Sequence, residues 1–114
     1  RTFKKLNLFT IKYSIMQLTN EFEPIRDWAE QKGIYAKGDT KTQTLKLLEE
    51  AGELAKAVLK QDEPEIKDAI GDCVVVLVSV AKLQGLSFEE CVNSAYDVIK
   101  NRKGQMNNGT FEKQ

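Results

Sequence analysis

Apolar residues recur at helical spacing along most of the chain, and each run is bracketed by capping signals. Phe22, Ile25, Trp28 and Ala29 make the first run, opened by Asn20 with Glu23 three residues on and closed by Gly33. Residues 33–39, Gly-Ile-Tyr-Ala-Lys-Gly-Asp, read as a loop. Thr40-x-x-Gln43 opens a second helix that runs to about Gln61, with Leu47, Leu48, Ala51, Leu54, Ala55 and Val58 as its core stripe. Asp62-x-x-Glu65 opens a third, tolerating Pro64 in its first turn and reaching Leu83 or Gln84 before Gly85. Its stripe is Ile66, Ala69, Ile70, Cys73, Leu77 and Val80. Ser87-x-x-Glu90 opens a fourth, from Phe88 to about Lys103, ended by Gly104. The polar tail, residues 105–114, carries only Met106 and Phe111 as large apolar side chains.

Val74 to Val80 is rich in β-branched residues and has the look of a buried strand. Length decides otherwise, because about 20 residues between a capping box and a glycine are too many for a strand. A helix apolar nearly all round belongs in the middle of a fold. Four helices with short loops therefore predict an all-α bundle. Val74, Val78 and Ala81 lie away from the main stripe of the third helix. So small a bundle has too few helices to cover them, so the core is expected to be completed by homo-oligomerisation, as a homodimer or a tetramer of paired dimers.

Composition narrows the function classes. A length of 114 residues suits one domain, assigned here to residues 16–114. Residues 1–15 hold Arg1, Lys4, Lys5 and Lys12 and no acid, and read as a basic leader or disordered segment before Met16. Seventeen basic and seventeen acidic residues leave no net charge, so no electrostatic case arises for nucleic acid or an anionic membrane. No apolar run approaches the roughly 20 residues of a membrane span. Cys73 and Cys91 both fall in apolar helical patterns and read as small reduced core residues, which predicts a cytoplasmic protein.

The chemistry lies in the acids. Glu49, Glu50 and Glu53 on the second helix and Asp68 and Asp72 on the third abut the apolar stripes instead of opposing them. Glu50 stands about 40° from Leu54, and Asp72 about 40° from Val76. If the two helices pack antiparallel, these edges face one another across a notch. Carboxylates gathered so closely repel unless a cation holds them. With no histidine in the chain, the oxygen-only donor set suits a hard divalent ion, Mg²⁺. Gly52 costs its helix roughly 1 kcal/mol relative to alanine, which points to close approach by another helix or a ligand. The competing reading is a solvated surface, with Lys46 and Lys56 forming weak local pairs.

Three segments, Gln43-Thr-Leu-Lys-Leu-Leu-Glu-Glu-Ala-Gly-Glu-Leu54, Asp68-Ala-Ile-Gly-Asp72 and Ile99-Lys-Asn-Arg-Lys-Gly104, together resemble the signature of the MazG-like all-α nucleotide pyrophosphohydrolases. The resemblance covers roughly residues 22–112. It implies Mg²⁺-dependent hydrolysis of (deoxy)nucleoside triphosphates to monophosphate and pyrophosphate, in the control of nucleotide pools, with Mn²⁺ able to substitute. It implies dimers, sometimes paired into tetramers, with the catalytic notches near the interface. Glu50 and Glu53 match the metal-binding acids of the first helix of the motif, Glu49 completes it, and Asp72 matches the last acid of the second element. The chain departs from the pattern at position 69, which is alanine; Asp68 stands one residue earlier as its expected substitute.

On this reading Glu49, Glu50, Glu53, Asp68 and Asp72 are the expected metal ligands. Glu50 or Glu53, where not fully engaged by metal, is the expected base for the attacking water. Lys46, Lys100, Arg102 and Lys103 are the expected phosphate clamps, the last three competing with a role at a helix C-terminus. Trp28, within Ile25-Arg-Asp-Trp28, is a candidate to stack on the base, and Tyr35 a weaker one. Two alternatives remain beside this one: a phosphoribosyl-ATP pyrophosphohydrolase-like enzyme, and a non-catalytic helical interaction module.

Overall fold

The computed structural model describes residues 14–114, so nearly all of the expected basic leader lies outside the described residues. The elements are α1 (Glu23–Gln31), α2 (Ile34–Lys37), α3 (Thr40–Leu59), α4 (Glu63–Leu83), α5 (Phe88–Ile99), β1 (Gly104–Asn107) and β2 (Thr110–Lys113). The chain divides into two compact units, Asn20–Glu89 and the flanking segments up to Thr19 and from Glu90 to Gln114.

In the first unit α3 and α4 form a helical hairpin. The turn between them is built by two consecutive caps. Gln61 takes a left-handed conformation (φ 55°) just past the end of α3, where its N–H bonds Val58 O and the Asp62 N–H bonds Ala57 O, satisfying carbonyls the helix leaves unpaired. Asp62 then caps α4 by accepting from the Glu65 N–H at 3.1 Å, as its capping box predicts. So short a turn forces the helices antiparallel, and at the far end Gln84 Nε2 donates to Thr40 Oγ1 at 2.6 Å. Gly85, at φ 73°, closes α4 with the Leu86 N–H on Ala81 O.

As expected, α4 is the central helix: α1, α2 and α3 all pack on it. The fully enclosed apolar residues are small, Ala29, Ala57, Ala69, Val76, Val78 and Ala81, with Ser79 among them, which lets the helix axes approach closely. This overturns one expectation. Val78 and Ala81 are buried within the single chain, because α1 and α2 cover the flank of α4 that a helix count alone leaves bare. Exposed apolar residues include Leu45, Leu48, Val58 and Leu59 on α3, Val98 and Ile99 on α5, and Ile70 of the expected α4 stripe, and the core stripe of α3 is also corrected. Leu47 and Leu54 turn inward with Ala57, whereas Leu48 (66% exposed), Ala51, Ala55 and Val58 of the expected stripe face out.

Other corrections are local. Asp39, not Thr40, caps α3, accepting from the Thr42 N–H at 2.9 Å. Phe22, not Asn20, occupies the cap position of α1, with the Asn20 carbonyl taking the Glu23 N–H. The segment read as a loop contains the single turn α2. Gly52 meets nothing within 4 Å of where a Cβ would lie, so no neighbour among the described residues accounts for it.

An ion pair that sequence reasoning missed fixes α1. Arg26 Nη1 and Nη2 donate to the two carboxylate oxygens of Glu89 at 2.7 Å each, and Nε donates to Glu23 at 2.9 Å. Glu89 is 0% exposed and also accepts the Phe22 N–H; Phe22 in turn packs edge to face on Phe88. Hydrogen bonding from Arg26 outweighs the burial that opposes it and draws the Glu89 carboxyl from 4.5 to about 2. A depressed carboxyl adds stability that is complete above its unfolded value and is lost as pH falls through the folded one. The melting temperature is therefore expected to fall between about pH 4.5 and pH 2. An Arg26→Met/Glu89→Leu double variant should flatten that segment of the profile, which thermal unfolding across pH will test.

In the second unit Asn93 exchanges two hydrogen bonds with the backbone of Leu18, at 3.0 and 2.8 Å. Cys91 is exposed here, not in a core, while Cys73 of α4 is half-buried. α5 stops at Ile99, four residues earlier than expected. Beyond it β1 and β2 pair as an antiparallel hairpin in the tail that was assigned no element. Asn108 and Gly109 lie at φ 51° and 82°, which is the two-residue turn that Asn-Gly favours. Gly104 is required: a Cβ there would collide with the Glu112 carbonyl and the Phe111 ring. Among the described residues no single helix is long and apolar enough to cross a membrane.

Candidate functional site

α3 has two apolar faces about 160° apart at 100° per residue. One, with Leu47, Leu54 and Ala57, packs on α4; the other, Leu45, Leu48, Gly52, Ala55 and Leu59, is exposed. Glu49, Glu50 and Glu53 occupy the strip between them. On α4, Asp68 and Asp72 flank the buried Ala69 on the side facing that strip. The antiparallel pairing sets Lys60 near Glu65 at the turn and brings Asp72 toward Glu49 and Glu50.

The result is an open cleft of about 380 Å³ lined by Glu49, Glu50, Glu53, Lys56, Lys60, Glu65, Asp68, Ala69 and Asp72. All five acids singled out as metal ligands line this one cleft. Glu50 is the most enclosed of the two measured in ion pairs, its side chain 15% exposed against 66% for Glu49. The donor set is oxygen only, which fits a hard divalent cation. Among the described residues, however, no three acids or cysteines converge closely enough to hold an ion. Lys46 Nζ instead sits 3.5 Å from Glu50 and 3.9 Å from Glu49.

A second cleft of about 390 Å³ is lined by Pro24, Ile25, Trp28, Asp72 and Val75. Asp72 thus borders both clefts, one charged and one mostly apolar. Trp28 is 46% exposed, so it is not the core residue that a tryptophan in an apolar stripe usually is. It is held there by α1, whose position depends on the Arg26–Glu89 pair. Tyr35 does not line this cleft: its hydroxyl is buried in the unit, and burial pushes its pKa up.

The basic candidates divide. Lys46 is engaged with Glu49 and Glu50 beside the cleft. Lys100, Arg102 and Lys103 belong to the other unit and follow α5 instead of riding on it. Lys100 Nζ donates to the Ser14 carbonyl at 2.7 Å and pairs with Asp97 at 3.3 Å. Lys60 and Glu65 were not singled out from the sequence, and Lys56 only as a local partner. The signal for the two lysines was their spacing: Glu49, Glu53, Lys56 and Lys60 fall in one row along α3.

Comparison with known proteins accords with this geometry. Over 58 residues the chain is 45% identical to an uncharacterized 18.2 kDa protein in the rep-hol intergenic region of Haemophilus phage HP1, a stretch covering 51% of this chain and 36% of that one. The chain thus spans about a third of that relative's length. No solved structure matches it significantly. The MazG nucleotide pyrophosphohydrolase domain matches residues 39–106, which take in the whole α3–α4 hairpin and every acid of the cleft. By that match, over more than half its length, the chain belongs to the MazG nucleotide pyrophosphohydrolase family.

Proposed function

We propose that the protein hydrolyses (deoxy)nucleoside triphosphates to monophosphate and pyrophosphate with Mg²⁺, as an enzyme of nucleotide-pool control. The observation that carries this reading is the sharing of Asp72 between a carboxylate cleft and an apolar cleft bordered by an exposed tryptophan. A nucleotide needs both, a face on which to stack its base and an acidic seat for the cation that accompanies its phosphates. Glu50, Glu53 and Asp72, with Glu49 and Asp68 at the margins, are the residues that would hold the ion. Mg²⁺ bound there would supply charge neutralisation of the phosphates and a polarised water.

The chain's own groups do the rest. The Trp28 ring offers the stacking face, and Pro24, Ile25 and Val75 exclude water around it. Of Glu50 and Glu53, the one not engaged by metal takes the water's proton on a carboxylate oxygen. Lys46, already within 4 Å of Glu49 and Glu50, keeps that pair of acids partly neutralised until substrate arrives. Asp68 reaches the cleft from beside the buried Ala69, in place of the acid expected at position 69. Asp68→Asn is accordingly expected to lower the apparent Mg²⁺ affinity by about tenfold, read from the Mg²⁺ dependence of pyrophosphate release; an unchanged dependence would take Asp68 out of the ligand set.

A second copy of the chain completes the molecule on this proposal, as a homodimer or a dimer of dimers. Leu45, Leu48, Gly52, Ala55 and Leu59 alternate three and four residues apart, the spacing of a helix–helix seam. They leave Leu59 85% exposed. Among the described residues no leucine, isoleucine or phenylalanine is fully buried, so a single chain encloses little large apolar surface. Gly52 on that face gives a partner helix room to approach. The deciding experiment is pyrophosphate release from all eight common triphosphates with and without Mg²⁺: release from none of them would end the reading.

A further inference from the structure

The cleft has a polarity that its acids alone do not explain. Glu49 and Glu53 are followed along the same row of α3 by Lys56 and Lys60, and all four line the cleft. Pairs of like charge four residues apart destabilise a helix by a few tenths of a kcal/mol, and here two stand end to end. Placed three residues from Lys56, Glu53 is in position for the ordinary compensating pair. No such pair forms: among the described residues neither the Lys56 nor the Lys60 side chain makes an ion pair or hydrogen bond, although both stand in a cleft with Glu49, Glu53, Glu65 and Asp68. Lysines near the end of a helix do favour its C-terminal dipole, but that role does not require them to line a cleft.

The direction of the row adds a second constraint. Glu49 to Lys60 spans about 16 Å along the helix axis at 1.5 Å per residue. Asp72, the residue shared with the Trp28 cleft, faces the Glu49 end, and Lys60 closes the other end beside the turn. From one end to the other the order along α3 is therefore aromatic face, carboxylates, lysines, with Glu65 of α4 beside the lysine end.

We infer that Lys56 and Lys60 form the seat of the β- and γ-phosphates, so that pyrophosphate leaves toward the α3–α4 turn while the base stays against Trp28. This rests on the proposed hydrolysis for its substrate, but the lysine seat makes a separate claim, that the cleft captures inorganic pyrophosphate. Three donors on each ammonium suit a compact, highly charged phosphate group. The sequence-based clamps Lys100, Arg102 and Lys103 are not needed for it.

The test is calorimetric titration of the full chain with inorganic pyrophosphate in Mg²⁺ buffer, beside steady-state kinetics on a triphosphate. Lys56→Gln/Lys60→Gln is expected to weaken pyrophosphate binding at least about tenfold and to raise KM for the triphosphate. Binding of the nucleoside monophosphate should stay unchanged. Lys56→Arg/Lys60→Arg should retain most of the affinity, and Lys67→Gln, an exposed charge on α4 that does not line the cleft, should have no effect. Pyrophosphate affinity and KM unchanged in the double glutamine variant would overturn the inference, as would equal losses in Lys67→Gln. Lysine-dependent pyrophosphate binding in a protein that hydrolyses no triphosphate would uphold it while removing the proposed function.

Discussion

Glu50→Gln and Glu53→Gln are each expected to lower Mg²⁺-dependent triphosphate hydrolysis by at least about a hundredfold with the helical fold retained. Each change keeps the shape of the side chain and removes one negative charge from the cleft. Glu50 is the more informative. It is largely enclosed between the core face of α3 and the cleft, and among the described residues its ion partner is Lys46 at 3.5 Å. Neutralising it also frees Lys46 to turn toward Glu49. The measurement is turnover over a Mg²⁺ series, with circular dichroism as the control on folding. Near-normal turnover at saturating Mg²⁺ in either variant would remove that residue from the machinery.

Leu48→Asp and Val78→Asp are expected to fail in opposite ways. Leu48 is two-thirds exposed on the outer face of α3, so aspartate there should leave the chain folded and prevent association. Val78 is fully enclosed in the middle of α4, so aspartate there buries an unpaired charge and should cost more than about 4 kcal/mol. Sedimentation should give a folded monomer for the first and little soluble protein for the second. A Leu48→Asp protein that still sediments with wild type would move the interface off this face.

The helices were legible because their signals are local. Capping residues, the glycine after α4 and the 3.6-residue period locate α3 and α4 within a residue or two of where they lie. Five of the six cleft acids were legible for the same reason, since acids that border an apolar stripe stay beside whatever the stripe packs against. What was missed depends on partners distant in sequence. Which side of α3 faces α4 is ambiguous when Leu45, Leu47, Leu48, Leu54, Val58 and Leu59 spread over about half of its circumference. Covering Val78 required knowing that α1 and α2 fold back on α4. Nothing near Glu89 announces a buried carboxylate whose guanidinium lies 63 residues earlier. The Asn108-Gly109 hairpin is different: its turn signal was present, but strands flanked by so few apolar residues gave the period of two little to work with.

The two clefts draw on contacts of very different sequence separation. Everything that gives the carboxylate cleft its charge lies between Glu49 and Asp72, on two helices joined by a three-residue turn that caps one and starts the other. Contacts so close in sequence cost little loop-closure entropy and form early. The Trp28 face comes from α1, whose anchor on Glu89 closes a far longer stretch of chain. On the proposed function, a variant whose α1 is undocked, such as Arg26→Met, is thus expected to keep its hold on divalent cations while losing its discrimination between a nucleotide and any other polyphosphate.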